Sequence, residues 1–405
     1  MLPQFLTTAA KAMALGAVVL PLAQARFDSD LDWISTNASL PKVVIYSARG
    51  TILSASNYSR LDNVNYGAGV GPTPQELIGN VSEVLDVAQI AVVNFDVTGG
   101  SSGLNSSLYL NISQHANQQL CSRGSDIVGA IMFHGTNTLE ETAFGVDLTF
   151  NCSKPFIATG AMRPDSYISP DGRSNFYQAV AAAVSPSSRN RGGLIAFNDR
   201  ITSIFYSTKL NANTPDTFKS LEQGNLGVFL GGQPFYYFDA GYATGRPHFD
   251  ITNTTELPSV IILYGHQGFD ASLMYAAVAN GAKGLVVLGP GAAQLSPSAQ
   301  AVAADLFSKG IPTVAVARPV TGTGVPGRFP GPMYVLIGPV LKLIGTYDNI
   351  LSSFYSSYVG AEQARIMLQL AINAGLSLDE IRDSFETPLR EAVYGSWASQ
   401  KAYYQ

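Results

Sequence analysis

Ile131-Met132-Phe133-His134-Gly135-Thr136-Asn137-Thr138-Leu139-Glu140-Glu141-Thr142-Ala143 is the stretch on which the reading of this chain turns. Its first residues form an apolar run at strand length, and Gly135 ends it. Two threonines flank an amide, and the pattern then predicts a helix from Thr138 with acidic residues in its first turn, where the helix dipole favours them. A strand running through a tight turn into a helix is half of a βαβ unit. A hydroxyl at the carboxyl end of such a strand stands where open parallel sheets place their chemistry.

The same alternation extends in both directions. Val43-Val44-Ile45-Tyr46 is a β-branched run that ends in Ala48-Arg49-Gly50-Thr51. Pro74 suits a first helical turn, and Leu77, Val81, Val84 and Leu85 follow helical spacing. Ile90 to Phe95 reads as a strand, and Leu108, Ile112, His115, Ala116 and Gln119 lie on one helical face. Strands at 155–159 and 193–197 enclose a helix from near Asn175 to Val184. Residues 26–41 read as a loose leader. After a Gly-, Pro- and aromatic-rich stretch from Gly231 to Pro258, short strands recur at Val260–Tyr264, Gly284–Leu288 and Thr313–Val316 among Ala-rich helices. A helix is expected from Gly360 to Ala374 and another from Ser377 to Phe385. The expectation is an α/β chain: a larger N-terminal domain, 42–245, with a doubly wound parallel sheet, and a smaller C-terminal α/β domain, 257–405.

Composition narrows the function. The chain has 405 residues, long enough for two cores, with 46% hydrophobic and only 13% charged residues and a net charge of −5. Without a basic run it offers nothing to a phosphate backbone, so nucleic acid is not an expected partner. Lys11, the apolar run Ala12–Leu22 and Ala23-Gln24-Ala25 read as a signal peptide over residues 1–25, a buried N-terminal helix being the alternative. Later apolar runs are broken by Gly and Pro, so no membrane span is expected after signal removal. Asn37, Asn57, Asn80, Asn105, Asn111, Asn151 and Asn253 each open an Asn-x-Ser/Thr triplet. Together with the leader these point to a secreted, extracellular or cell-wall glycoprotein. The two cysteines, Cys121 and Cys152, have one intramolecular pairing in an oxidising compartment; two free buried thiols are the alternative. No Gly-x-Gly-x-x-Gly follows an early strand, and His115, His134, His248 and His266 lack ligand-like spacing. No cofactor and no metal are expected, and His134 reads as a packed core imidazole.

Taken in order, these segments resemble the type II L-asparaginases, and the likeness runs from Val43 to Phe385. Gly50-Thr51-Ile52 is similar to the family's first threonine motif, and Tyr66 with Gly67 and Gly69 to its mobile-loop tyrosine. Thr136 to Thr142 is similar to the second motif, Gly160-Ala161-Met162-Arg163-Pro164 with Asp171-Gly172 to the next, and Lys209 to the family lysine. The cysteines match the family's disulfide positions. The resemblance implies an amidohydrolase acting on a small-molecule amide. Thr51 would be the nucleophile, assisted by Tyr66, with Thr136 and Lys209 driving deacylation and Asn137 at the substrate. It also implies a homotetramer built from intimate dimers.

Departures from the pattern cluster at the site. Asn137 stands where the family has an Asp, which keeps the shape and loses a charge that would face Lys209 and the substrate ammonium. Arg49 replaces the first of two glycines before the nucleophile. The family's Ser-Gln recognition pair falls on Val97-Thr98 without gaps, or on Ser101-Ser102 if the loop is longer. The partner-subunit acidic loop, expected near Thr321 to Arg328, has no Asp or Glu. Two functions follow: an amidohydrolase, impaired or redirected in substrate, and a catalytically inactive secreted relative serving as a binding or structural protein.

Overall fold

The structure, a computed structural model, describes residues 31–395 apart from 36, 68, 96, 98, 327–331, 338–339 and 347–352. The signal-peptide reading of residues 1–25 lies outside the described residues. The first part of the chain contributes β1 (Asp32–Trp33), β2 (Lys42–Ala48), α1 (Pro74–Asn80), β3 (Gln89–Asn94), α2 (Ser107–Leu120), β4 (Ile127–His134) and α3 (Leu139–Asp147). It continues with β5 (Phe156–Thr159), α4 (Gly172–Val184), β6 (Leu194–Phe197), β7 (Arg200–Ser203), β8 (Thr208–Lys209), β9 (Phe218–Lys219), β10 (Gly227–Leu230) and β11 (Gln233–Tyr236). The second part holds β12 (Val260–Tyr264), α5 (Ser272–Ala279), β13 (Gly284–Gly289), α6 (Pro290–Ala293), α7 (Pro297–Ser308), β14 (Thr313–Ala317), β15 (Pro332–Ile337), β16 (Val340–Thr346), β17 (Phe354–Tyr355), α8 (Ala361–Asn373) and α9 (Leu378–Tyr394).

The large sheet runs β1-β3-β2-β4-β5-β6-β7-β10-β11. From β3 to β6 neighbouring strands are parallel. Their side chains alternate between two cores, as a sheet covered on both faces requires. Val44, Tyr46 and Met132 face α2 and α3, while Val43, Ile45, Ile131 and Phe133 face α1 and α4. The first of these cores continues into the C-terminal sheet, β12-β13-β14-β17, through Met367 and Leu368 of α8. The strands of that second sheet are parallel throughout.

Three features differ from the sequence reading. Residues 32–33 of the leader segment are β1, antiparallel to β3. The parallel sheet is mixed at its far edge, because β6, β7, β10 and β11 follow one another antiparallel. Tight turns make the β6–β7 and β10–β11 pairings: Asn198-Asp199 at φ 50° and 60°, and Gly231-Gly232 at φ 57° and 77°. Two consecutive residues with positive φ suit a hairpin between twisted strands. The last helix runs on from the expected Phe385 to Tyr394, with Pro388 inside it. Cys121, at the carboxyl end of α2, is bonded to Cys152 ahead of β5, which links a helix to the sheet it covers.

Candidate active site

The strand order 3-2-4 means that β2 and β4 are neighbours whose following helices leave to opposite faces. This is the switch point at which doubly wound sheets open a crevice. Ala48 pairs with His134 in register, so the turns after the two strands begin side by side. Arg49 has φ 58° and Gly50 φ 104°. A Cβ on Gly50 would stand 2.5 Å from the backbone nitrogen of Gly135, and one on Gly135 would stand 2.6 Å from Oγ of Ser101. Glycine is therefore required at both positions by close approach, and that approach brings Thr51 and Thr136 into one region.

Both threonines are buried. Thr51 opens a short 3-10 turn, Thr51–Leu53, and its Oγ1 donates to the hydroxyl of Tyr66 at 3.3 Å. The segment carrying Tyr66 folds back so that Ala55 bridges Gly69. A Cβ on Gly69 or Gly71 would meet the carbonyls of Ala55 or Leu53, so these two glycines allow contact, whereas Gly67 faces open space. Lys209, half-buried on β8, donates from Nζ to Oγ1 of Thr136 at 2.9 Å and to Oδ1 of Asn137 at 3.2 Å. The sequence-predicted residues thus fall into two pairs, Thr51–Tyr66 and Thr136–Lys209, at adjacent strand ends. The exposed Asn137 joins the second pair and donates to Oγ of Ser102 at 2.9 Å.

The surroundings fix the electrostatics. Burial lowers the Lys209 pKa, and the nearby Glu140 carboxylate opposes that shift. Glu140, in the first turn of α3, accepts from the backbone N–H of Lys209 at 2.6 Å, and burial raises its own pKa to about 7. It anchors the lysine by the main chain, a contact that the sequence reading did not assign. Its one signal was the acidic residue following the threonine motif. His134 is fully buried, its Nδ1–H bonded to the Gly135 carbonyl at 2.7 Å, and burial lowers its pKa to about 4, so it packs the turn as a neutral ring. Asp171 accepts backbone N–H groups from Met162 and Arg163 at 3.0 and 2.9 Å, which folds the Gly160–Pro164 segment beneath the site.

The departures also find places. Val97 is buried in the apolar core, and Thr98 lies outside the described residues. Ser102 touches Asn137, and the Ser101 carbonyl accepts from the Thr138 hydroxyl at 2.8 Å. Among the described residues, the Ser101-Ser102 alternative reaches the threonine motif. Arg49 is exposed and makes no hydrogen bond to Thr51. In the stretch near Thr321, the Gly322 N–H donates to Glu222, a carboxylate from the N-terminal part of the chain; Gly327 and Arg328 lie outside the described residues.

Comparison with known proteins agrees with this geometry. The profile described as "Asparaginase, N-terminal" matches residues 42–241, and "Glutaminase/Asparaginase C-terminal domain" matches 259–385. The "Probable L-asparaginase 1" of Schizosaccharomyces pombe is 39% identical over 367 residues, covering 90% of this chain and 94% of that protein. The "L-asparaginase 2" of Escherichia coli is 30% identical, covering 86% and 93%. The crystal structure of a probable cytoplasmic L-asparaginase from Campylobacter jejuni superposes with a TM-score of 0.72 at 29% identity, covering 85% of this chain and 99% of that one. The paired threonine turns, their glycine contact and the two-sheet architecture therefore have one origin: this chain belongs to the asparaginase family.

Proposed function

We propose that this protein is an L-asparaginase-type amidohydrolase in which Thr51 attacks the side-chain amide carbon of L-asparagine. The Thr51 oxygen forms a bond to the carbonyl carbon as the C–N bond breaks. The departing nitrogen takes up a proton and leaves as ammonia. Water then attacks the ester and returns the proton to Thr51, releasing L-aspartate. Tyr66, within hydrogen-bond reach of Thr51, relays the first proton. Thr136, held by Lys209, serves the second half.

The observation that carries this reading is the 2.9 Å contact between Lys209 Nζ and Thr136 Oγ1, beside the Thr51–Tyr66 pair. A hydroxyl alone is a weak nucleophile, and burial lowers the Lys209 pKa, which moves the amine beside Thr136 toward the neutral form that can accept a proton. Asn137 keeps the hydrogen bond to Lys209 without a charge. In this account the site is retained, with weaker hold on a substrate ammonium.

The finer assignment is to the secreted, type II branch. The leader and seven sequons support it; six of the seven asparagines are exposed and Asn111 is half-buried, so most are open to a glycan. The homotetramer is inferred from family membership and is read out by light scattering. The direct test is ammonia release from L-asparagine by the purified protein and by Thr51→Ala. Wild-type release that falls at least about 1,000-fold in the variant supports the assignment. Release that survives in Thr51→Ala, or is missing from the folded wild type, overturns it.

A further inference from the structure

Against the chain on either side of Thr51, at Gly50, Leu53 and Ser54, lies a cavity of about 690 Å3, large enough for a substituent bigger than the side chain of asparagine. It opens on the β3 side of β2, away from Thr136 and Lys209, and shares Gly50 with the nucleophile turn. Arg49, Ser47 and Asn94 contribute to its wall, with Gly67 and Gly69 of the Tyr66 segment across from them.

Two independent observations mark it as a binding site. Arg49 holds a left-handed backbone, φ 58°, that its Cβ disfavours, and its guanidinium makes no ion pair or hydrogen bond among the described residues. A strained cation beside the nucleophile turn, with no partner among the described residues, is a feature with a cost and no visible structural return, which points to function. Separately, Ser47 is buried and its Oγ has no hydrogen-bond partner. A buried hydroxyl is normally satisfied, and Ser47 is among the residues that border the same cavity. On the other flank of Thr51, position 137 carries an amide where a carboxylate would favour an ammonium group. The whole site is thereby biased toward negative ligands.

Resting on the amidohydrolase reading, we propose that the Arg49–Ser47 cavity is a subsite for a carboxylate borne on an extended substrate. The enzyme would then hydrolyse asparagine side-chain amides whose amino or carboxyl group carries an acidic substituent in preference to free L-asparagine. The guanidinium meets the added carboxylate, and the Ser47 hydroxyl donates to it.

The test compares matched substrates that differ in that charge. These are N-succinyl- against N-acetyl-L-asparagine, and the dipeptide asparaginyl-aspartate against asparaginyl-alanine, assayed by ammonia release with the full-length protein. The expected kcat/KM ratio in at least one pair is 10 or more, roughly the value of one charge-assisted contact. That ratio should fall toward 1 in Arg49→Gln and in Arg49→Gly, and shrink with added salt. Ratios near 1 for both pairs in the wild type, or a ratio unchanged in Arg49→Gln, overturn the subsite. If no amide yields Thr51-dependent ammonia, the catalytic reading fails rather than this one. Calorimetry of N-succinyl-L-asparagine binding to Thr51→Ala, with and without Arg49→Gln, then decides the subsite: Arg49-dependent binding supports it, and equal or missing binding in both overturns it.

Discussion

Arg49 and Gly50 carry successive positive φ angles between β2 and Thr51, and only the second has the residue type that this backbone favours. The left-handed region costs a residue with a Cβ about 1 kcal/mol, while glycine adds freedom to the unfolded chain. Arg49→Gly should therefore stabilise the protein by about 0.5 kcal/mol or more, seen as a higher midpoint in urea; a lower midpoint would mean that Arg49 makes a stabilising contact. Gly50 and Gly135 are the opposite case. A methyl on either collides with backbone or with Ser101, so Gly50→Ala should separate the two threonine turns and abolish activity at little change in overall content of secondary structure. Asn137 is an amide at the position where the family resemblance implies a carboxylate. Restoring it as Asn137→Asp places a carboxylate against Lys209 Nζ, now 3.2 Å from the amide oxygen. We expect kcat/KM for L-asparagine to rise roughly tenfold, mainly through KM, because one new charge contact to an ammonium is of that size. A lower kcat/KM would show that the site has adapted to the amide.

At the scale of elements, α3 organises the lysine. Its first turn holds Glu140, whose carboxylate is taken from water to accept the Lys209 N–H. Its pKa is raised from 4.5 to about 7 by burial, and Glu362 and Glu141 push in the same direction against the hydrogen bonds. A carboxylate raised in the folded state gives stability that is full below its unfolded pKa and lost as pH rises through about 7. The difference corresponds to about 3 kcal/mol between pH 4 and pH 8. Glu140→Gln should remove most of that slope, measured by denaturation across this range; an unchanged slope would place the titration elsewhere. The element scale also shows what could be read in the sequence. β2, β3, β4 and α3 were legible because apolar runs of strand length ended in turn residues and, for α3, led into an acidic first helical turn. The antiparallel edge was not read, although Asn198-Asp199 and Gly231-Gly232 are turn signals, because four-residue strands give little alternation. At the site, motif order proposed Thr51, Tyr66, Thr136, Lys209 and Asn137, and the fold brings them into the two hydrogen-bonded groups described above. Glu140 and Ser47 were not, since a buried acid and an unsatisfied hydroxyl are properties of packing.

In the whole molecule, the strand order 3-2-4 turns two separate sequence motifs into one site, and α8 joins the cores of the two sheets behind it. The Cys121–Cys152 bond closes a loop, 31 positions in sequence separation, that contains β4, the Thr136 turn and α3. Its loss in Cys121→Ser with Cys152→Ser should cost about 4 kcal/mol in the chain-entropy account, measured in urea, with a smaller effect on kcat than on stability. The two buried threonines have different tasks in this mechanism, Thr51 forming the ester and Thr136 serving its hydrolysis. Acid quenching of the protein during turnover of L-asparagine, followed by peptide mass spectrometry, tests it most directly, with Lys209→Met used to slow deacylation. The account predicts an aspartyl adduct on the peptide containing Thr51 and none on Thr136; an adduct on Thr136, or its persistence in Thr51→Ala, would contradict it.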